Sequence, residues 1–562
     1  MTVQIGWVGL PKSPLFARLF TPEGTATRGG VLLCTGMGQD APYGRLAFRE
    51  LGRRLAESGF LALQVDYQGM GNSWGHEPGS ATLEAWQSSL AVAAGFLRDG
   101  GAHEISAVGF RLGATLAASV ANELALDALV LWDPCASGRS HLREQAMLRA
   151  LYMDMLGLDP HGSSAARDGS VEILGATYDA RTARELAHLE VGPNIGALAR
   201  QVLVLATTGA TDVRQPPKGS SAPNVDFAQG EGPGRAAAFE NEGAGPLRIR
   251  DAPLAAIATW LDKHAGRQWA NLGAQAQDRS IRPVPDGISE EVWRVGPDRL
   301  FGILARPARP TDGPAVVILS AGFGDHLGPG RLWVEVSREW ANRGVPVLRT
   351  DLSGLGDSPA RPGRAPGDVY PSEALGDIKE VVEAVSAEYP AGVVLMGLCS
   401  GGYHAALAAP VVGARGALVV NPSLPVKPLG KLMAGAARRL PRPRPAPGGG
   451  DYGANWWPVR CLGLAGRPLR SLERFSSQGG RGLVVCGPPE WAILLRSEAK
   501  TLTRLQGTTA CRLELVPDAD HSLFTQTARR AVLPLLTEYL LSNFGPPAGA
   551  NATRGPVSQV PV

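Results

Sequence analysis

Residues 393–407 read VVLMGLCSGGYHAAL: an apolar run, then G-L-C-S-G, then small residues able to begin a helix. The spacing is that of a G-x-S-x-G nucleophile elbow, in which a reactive side chain stands at the apex of a sharp strand-to-helix turn. Here the central position holds Cys399, and the serine, Ser400, comes one place late. A one-residue slip turns the Ser400 side chain away from the apex, so Cys399 is the expected nucleophile and Ser400 the weaker alternative. Thiolate is the attacking form of cysteine, and the dipole of a helix N-terminus favours it. Attack on an acyl carbonyl would leave a thioester, which water, amines and thiols all cleave, so acyl transfer is as open as hydrolysis. The same frame recurs in SAVGFRLGATLAA with Arg111 at its centre. A guanidinium stays protonated and cannot attack a carbonyl.

The elements around these two turns are also written twice. GGVLLCTGMGQ, RELGRRLAESGFLALQVDYQGMGNS, ISAVGFRLGATLAA and ALVLWDP occur in that order in the first half. PAVVILSAGFGD, REWANRGVPVLRTDLSGLGDS, VVLMGLCSGGYHAAL and ALVVNP follow in the same order in the second. Gly36 corresponds to Gly322, Asp66 to Asp351, Gly109 to Gly397 and Asp133 to Asn421, at offsets of 285 to 288 residues. So steady an offset means tandem copies of one domain. Short β-rich runs alternate with helix-length amphipathic stretches such as RELGRRLAESG and KEVVEAVSAEY. That alternation predicts a mostly parallel sheet with helices on both faces.

With 562 residues, two to four cores are expected. A net charge of +3, from 55 basic and 52 acidic residues, gives no polyanion-binding signal. No helix-turn-helix, RNA-binding or zinc pattern appears, and the G-M-G and G-L-G turns lack the lysine of a phosphate-binding loop, so nucleic acid is not an expected partner. The first residues lack the order of a signal peptide, and no apolar run is long enough for a membrane helix. Six cysteines occur without C-x-x-C or ligand spacing. A reducing cytoplasm, no disulfide and no metal are the expectation.

Three cues together carry a resemblance: the glycine turns TGMG and AGFG, the D-x-x-G-x-G-x-S turns DYQGMGNS and DLSGLGDS, and the elbows. On these the chain resembles the α/β-hydrolase superfamily. Within it, the chain is most similar to serine-aminopeptidase-type (S33-like) bacterial hydrolases, including exosortase-associated ones. The resemblance spans residues 28–265 and 290–543. It implies two tandem α/β-hydrolase domains, each a mostly parallel sheet with a cap insertion. The expected bounds are 1–267 for the first domain, 268–287 for a linker, 288–545 for the second domain and 546–562 for a disordered tail.

The superfamily's chain order of nucleophile, acid and histidine is carried over onto Cys399, Glu490 in LVVCGPPEW and His521 in VPDADHSLF. Asp518 and Asp520 are rivals for the acid, though immediate neighbours of a histidine point the wrong way to grip it. The resemblance also implies an oxyanion hole from the amides of Phe323 and Ser400. His404 is expected to pack within the fold, with a place near substrate as the alternative. In the first copy, Asp212 in VLATTGATD keeps the acid position, but no histidine occurs between His188 and His264. Arg111 and Asp212 then read as a structural pair plugging a retired site, or as a seat for an anionic group.

Cap insertions are expected at residues 137–190, read as helical, and 423–480. Between Lys427 and Arg444 the second cap holds six basic residues and no acid. It reads as a solvated loop, or as a docking patch for an acidic partner such as an acyl-carrier protein. Trp456 and Trp457 would suit a lid over an acyl group. No cofactor is implied. The expected function is hydrolysis or transfer of an acyl group from an ester or thioester, with a carrier-bound acyl group as one form of the donor. The alternative is a non-catalytic scaffold built from two retired hydrolases.

Overall fold

The central strands of this chain are short, apolar and buried on both faces, the pattern of a sheet covered by helices on each side. In the run Val393–Leu398 every residue is buried. Val393 and Leu395 enter one hydrophobic cluster, while Val394, Met396 and Leu398 enter another on the opposite face. The first copy does the same, with Leu32 and Cys34 on one side and Val31 and Leu33 on the other. Alternation at a period of two is what divides each core in two.

The computed structural model describes residues 1–24, 26–75, 81–156, 169–206, 222–229, 239–240, 248–266, 270–271, 281–283, 287–322, 324–363, 366–423 and 467–545. Its first sheet runs, edge to edge, Thr2–Val8, Leu15–Thr21, Leu61–Val65, Gly30–Cys34, Ile105–Phe110, Ala128–Trp132, Gln201–Ala206, Val225–Gln229. The second runs Ile281–Pro283, Ser289–Val295, Leu300–Arg306, Val347–Thr350, Ala315–Leu319, Val393–Leu398, Gly416–Val420, Arg481–Cys486, Cys511–Leu515. Apart from the short extra strand Ile281–Pro283, the two orders correspond strand for strand. In each, the leading hairpin is antiparallel and the remaining strands are parallel to one another. Two tandem α/β-hydrolase folds, as expected from the sequence, are therefore present.

Three segments differ from, or fall outside, the sequence reading. Residues 171–178 were expected to be helical, but Val171–Ile173 and Ala176–Tyr178 form an antiparallel hairpin. β-branched residues on both arms and a turn glycine, Gly175 at φ 83°, favour that outcome. Helices do form at Gly138–Met155 and Ala180–His188 on either side. The polar linker also takes part in pairing: Ala270–Asn271 pairs with Ala26–Thr27, and Ile281–Pro283 extends the second sheet. The second cap from 424 to 466, with its basic run, Trp456, Trp457 and Cys461, lies outside the described residues, as does the tail from 546. Among the described residues Cys34, Cys135, Cys399, Cys486 and Cys511 are all free thiols. No helix described is long and apolar enough to cross a membrane.

The copies meet at their D-x-x-G-x-G-x-S turns. Within each turn the aspartate carboxylate accepts a backbone N–H, Asn72 to Asp66 and Asp357 to Asp351, both at 2.9 Å. Each serine hydroxyl bonds the same aspartate's carbonyl and receives the amide of Phe16 or Phe301. Across the junction Arg18 donates to Asp357 at 2.8 and 2.6 Å, and Arg349 donates to Asn72 at 2.7 Å. Ile5, Trp7 and Phe16 of the first copy share one apolar cluster with Phe301 and Ile303 of the second.

Candidate active site

Strand Val393–Leu398 ends at Cys399, whose φ is 56° and ψ −121°, and helix Ser400–Ala408 begins at the next residue. A non-glycine residue in this region costs about 1–3 kcal/mol and persists only where its surroundings over-determine it. Here the close approach of strand and helix does so. A Cβ on Gly397 would lie 2.2 Å from the carbonyl carbon of Gly401, and one on Gly401 would lie 2.7 Å from the Leu319 oxygen. The turn therefore lifts the half-buried thiol out of the chain at the helix N-terminus. Arg111 has φ 54° and ψ −125°, so the first copy makes the same turn with a guanidinium at its apex.

Glu490 lies in the first turn of helix Pro488–Gln506, directly after strand Arg481–Cys486. His521 follows the last strand, Cys511–Leu515. The imidazole Nδ1–H donates to Glu490 Oε1 at 2.8 Å, and the ring lies near enough to the Cys399 thiol for the two to interact. With Nδ1 committed to the carboxylate, Nε2 is the atom left for sulfur. Burial on its own would pull the His521 pKa down. The neighbouring Cys399 and the bond to Glu490 outweigh it and hold the pKa well above the ordinary histidine value. The structure thus brings together Cys399, His521 and Glu490. The rival acid Asp520 turns elsewhere and accepts from Ser522, Phe524 and Thr525 within its own loop.

Asn421, which no motif singles out, clamps this arrangement. Its Nδ2 donates to the carbonyls of Asp520 and His521, both at 3.0 Å, and its Oδ1 accepts from the Gly487 amide at 2.8 Å. One side chain thereby ties the acid-bearing loop to the histidine-bearing loop. The signal for it was the N-P pair ending strand Gly416–Val420, at the position of Asp133 in the first copy; Asp133 and Asn421 share a positive φ.

Ser400 is buried, and its Oγ accepts from the Gly322 amide at 2.8 Å, which fastens the glycine loop to the elbow. Its side chain faces that loop rather than the apex, as the one-residue slip requires. Phe323 lies outside the described residues. His404 is buried in the elbow helix; its Nε2–H donates to the Val369 carbonyl at 2.9 Å, and its ring packs against Tyr370 and Tyr403. Burial keeps its pKa below the usual value. Tyr370 donates to the Ser423 carbonyl at 3.1 Å, and burial, then the neighbouring Cys399, raise its phenol pKa.

In the first copy Arg111 is buried and bonded to Glu144 of helix Gly138–Met155. Its Nε lies 3.6 Å from Asp40 in the glycine loop, and Nη1 donates to the Asp133 carbonyl at 3.4 Å. Asp212, the partner expected from sequence, lies outside the described residues. Two carboxylates thus face the cation at the apex of this turn.

Among the described residues one histidine–carboxylate group, His326 with Asp351 and Asp357, has donor atoms close enough for a cation, within 4.8 Å of one another. Its donors are already engaged, His326 between Asp351 and Asn72, and Asp357 with Arg18 and Arg49. Two guanidiniums on one carboxylate suit a salt-bridge junction rather than a cation.

Residues 316–535 match the family model described as the alpha/beta hydrolase family. No curated relative matches the chain. Among solved structures, it is similar to a dienelactone hydrolase from Anabaena variabilis ATCC 29413, at 16% identity over 46% of this chain and 99% of that one, TM-score 0.31. Est1E from Butyrivibrio proteoclasticus is similar at 15% identity, 46% and 96% coverage and TM-score 0.31. An esterase of Pyrococcus furiosus is similar at 13% identity, 47% and 92% coverage and TM-score 0.34. The chain is a tandem α/β-hydrolase-fold protein. Its second copy carries the stretch that matches the alpha/beta hydrolase family.

Proposed function

We propose that the second copy is an acyl-transferring hydrolase that works through a Cys399 thioester. The observation that carries this reading is the His521–Glu490 hydrogen bond set beside the strained Cys399 at the apex of the elbow, with the imidazole near enough to the thiol to interact. The thiol proton is held on His521 Nε2, and the Cys399 thiolate attacks the carbonyl carbon of an ester or thioester beside the resulting imidazolium. Glu490 holds the ring in the required tautomer and favours the imidazolium. The negative charge that develops on the carbonyl oxygen is met by the Ser400 amide at the start of the elbow helix, with the amide of Phe323 as the second donor. Collapse of the adduct breaks the bond to the leaving oxygen or sulfur, which takes the proton from His521. Water, or another acceptor, then gives a proton to His521 and attacks the thioester, releasing the acyl product and restoring the thiol.

The first copy, residues 1–267, lacks a nucleophile and a histidine in these places and is non-catalytic in this reading. Residues 288–545 form the working domain. The class of substrate is a small acyl ester or thioester, and a carrier-bound acyl group would satisfy the same chemistry.

Turnover of p-nitrophenyl esters and acyl thioesters tests this, with products analysed in the presence and absence of an amine or alcohol acceptor. Wild type should release acid, or the acylated acceptor, and Cys399→Ala should do neither. Equal turnover by the two proteins would overturn the assignment of the nucleophile.

A further inference from the structure

The loop carrying His521 is not held by the second copy alone. The carboxylate of Asp520, its immediate neighbour, is 2% exposed and collects five donors. Four are local: the amides of Ser522 at 3.1 Å, Phe524 at 2.9 Å and Thr525 at 2.9 Å, and the Thr525 hydroxyl at 2.8 Å. The fifth comes from 368 positions away, where the Tyr152 hydroxyl donates to Asp520 Oδ1 at 3.0 Å. Tyr152 belongs to helix Gly138–Met155 of the first copy, the same helix whose Glu144 faces Arg111.

Further contacts from the first copy bracket the loop. The Tyr152 ring meets Phe524 edge-on at 5.7 Å, the Gly175 amide donates to the Phe524 carbonyl at 3.0 Å, and Glu172 Oε1 accepts the Gln526 amide at 2.9 Å. Burial, then the facing Asp520, raise the phenol pKa of Tyr152, so it remains a neutral donor to a charged acceptor. His521 is thus fixed from two directions. Asn421 holds its main chain from within the second copy, and Tyr152 holds the turn beside it from the first.

We propose that Tyr152 is a positioning residue for His521, through which the first copy sets the geometry of the second copy's thiol site. The inference rests on the thiol–imidazole reading given under Proposed function. A chain that had lost its own nucleophile would on this view be retained because it completes its neighbour's histidine loop. Removing the hydroxyl while keeping the ring leaves the packing on Phe524 intact and takes one of three donors from a buried carboxylate oxygen.

The test is the rate at which iodoacetamide alkylates Cys399 in the full chain, read by peptide mass across pH 5–10, with the melting temperature recorded alongside. Wild type, Tyr152→Phe, Glu172→Ala and His521→Ala are compared. Wild type should show a component that His521→Ala abolishes. In Tyr152→Phe that component should fall by about tenfold, the scale of one hydrogen bond to a charged group, and its inflection should move toward the ordinary histidine value. Glu172→Ala removes a different bond to the same loop, should shift the profile in the same direction, and decides the matter if Tyr152→Phe does not fold. Profiles that superimpose on wild type, whatever the melting temperature does, would overturn the positioning role and leave the thiol site standing. A wild-type profile with no His521-dependent component would overturn the thiol-site reading, and this inference with it.

Discussion

Cys399 and His521 form a pair whose charge state follows from what surrounds the imidazole. Burial opposes its protonation, but the adjacent Cys399 and the bond to Glu490 prevail, so the imidazolium persists above the pH at which an exposed histidine loses its proton. The sign of the linkage follows. A raised folded-state pKa adds stability that is fully present below about pH 6.5, the unfolded value, and is lost as pH rises through the folded value. The difference in melting temperature between wild type and His521→Ala should therefore be largest in mild acid and shrink through the alkaline range; a difference that grew with pH would contradict the pairing. Cys399, Glu490 and His521 were legible in the sequence because each follows a strand end and local motifs mark strand ends. Asn421 and Tyr152 were not. Their roles depend on long-range contacts, to residues about 100 and 368 positions away, that no short motif encodes.

At the scale of elements, the elbow holds Cys399 in a strained backbone conformation at the turn from strand to helix. Gly397 and Gly401 are the residues that let strand and helix approach closely enough to enforce it. Gly397→Ala would place a methyl 2.2 Å from backbone that has nowhere to move. A loss of about 3 kcal/mol in urea unfolding is expected, toward the upper end of single-substitution effects. The alternating strands and helices were readable because apolar period and turn glycines agree along most of the chain. Residues 171–178 misled because an eight-residue stretch between two helices offers little periodicity, and the β-branched residues and Gly175 decided for a hairpin.

At the scale of the molecule, a buried charge junction joins the two copies. Burial would push the Asp357 carboxyl up, but Arg18 and Arg49 hold it well below the usual carboxylate range. Its contribution is thus present above the ordinary carboxylate pKa and is lost only as pH falls through the depressed value. Arg18, 1% exposed, supplies both close bonds to the buried Asp357 carboxylate, and removing it leaves the longer contact to Arg49. Arg18→Leu should cost about 3–5 kcal/mol in chemical denaturation, and a loss near zero would show that the junction does not couple the copies energetically. Tandem duplication was plain from the offsets in sequence. That the two D-x-x-G-x-G-x-S turns meet each other, through Arg18 and Asp357, was not, because each turn reads identically whether it faces solvent or its twin.

The most direct measurement is the intact mass of the full chain after brief exposure to a panel of acyl thioesters and activated esters. A covalent acyl group that maps to Cys399, is absent in Cys399→Ala and forms about 10²–10⁴-fold more slowly in His521→Ala is the expected result. No adduct with any member of the panel, together with alkylation of Cys399 at the rate of an ordinary thiol and without dependence on His521, would contradict the thiol mechanism and favour a scaffold.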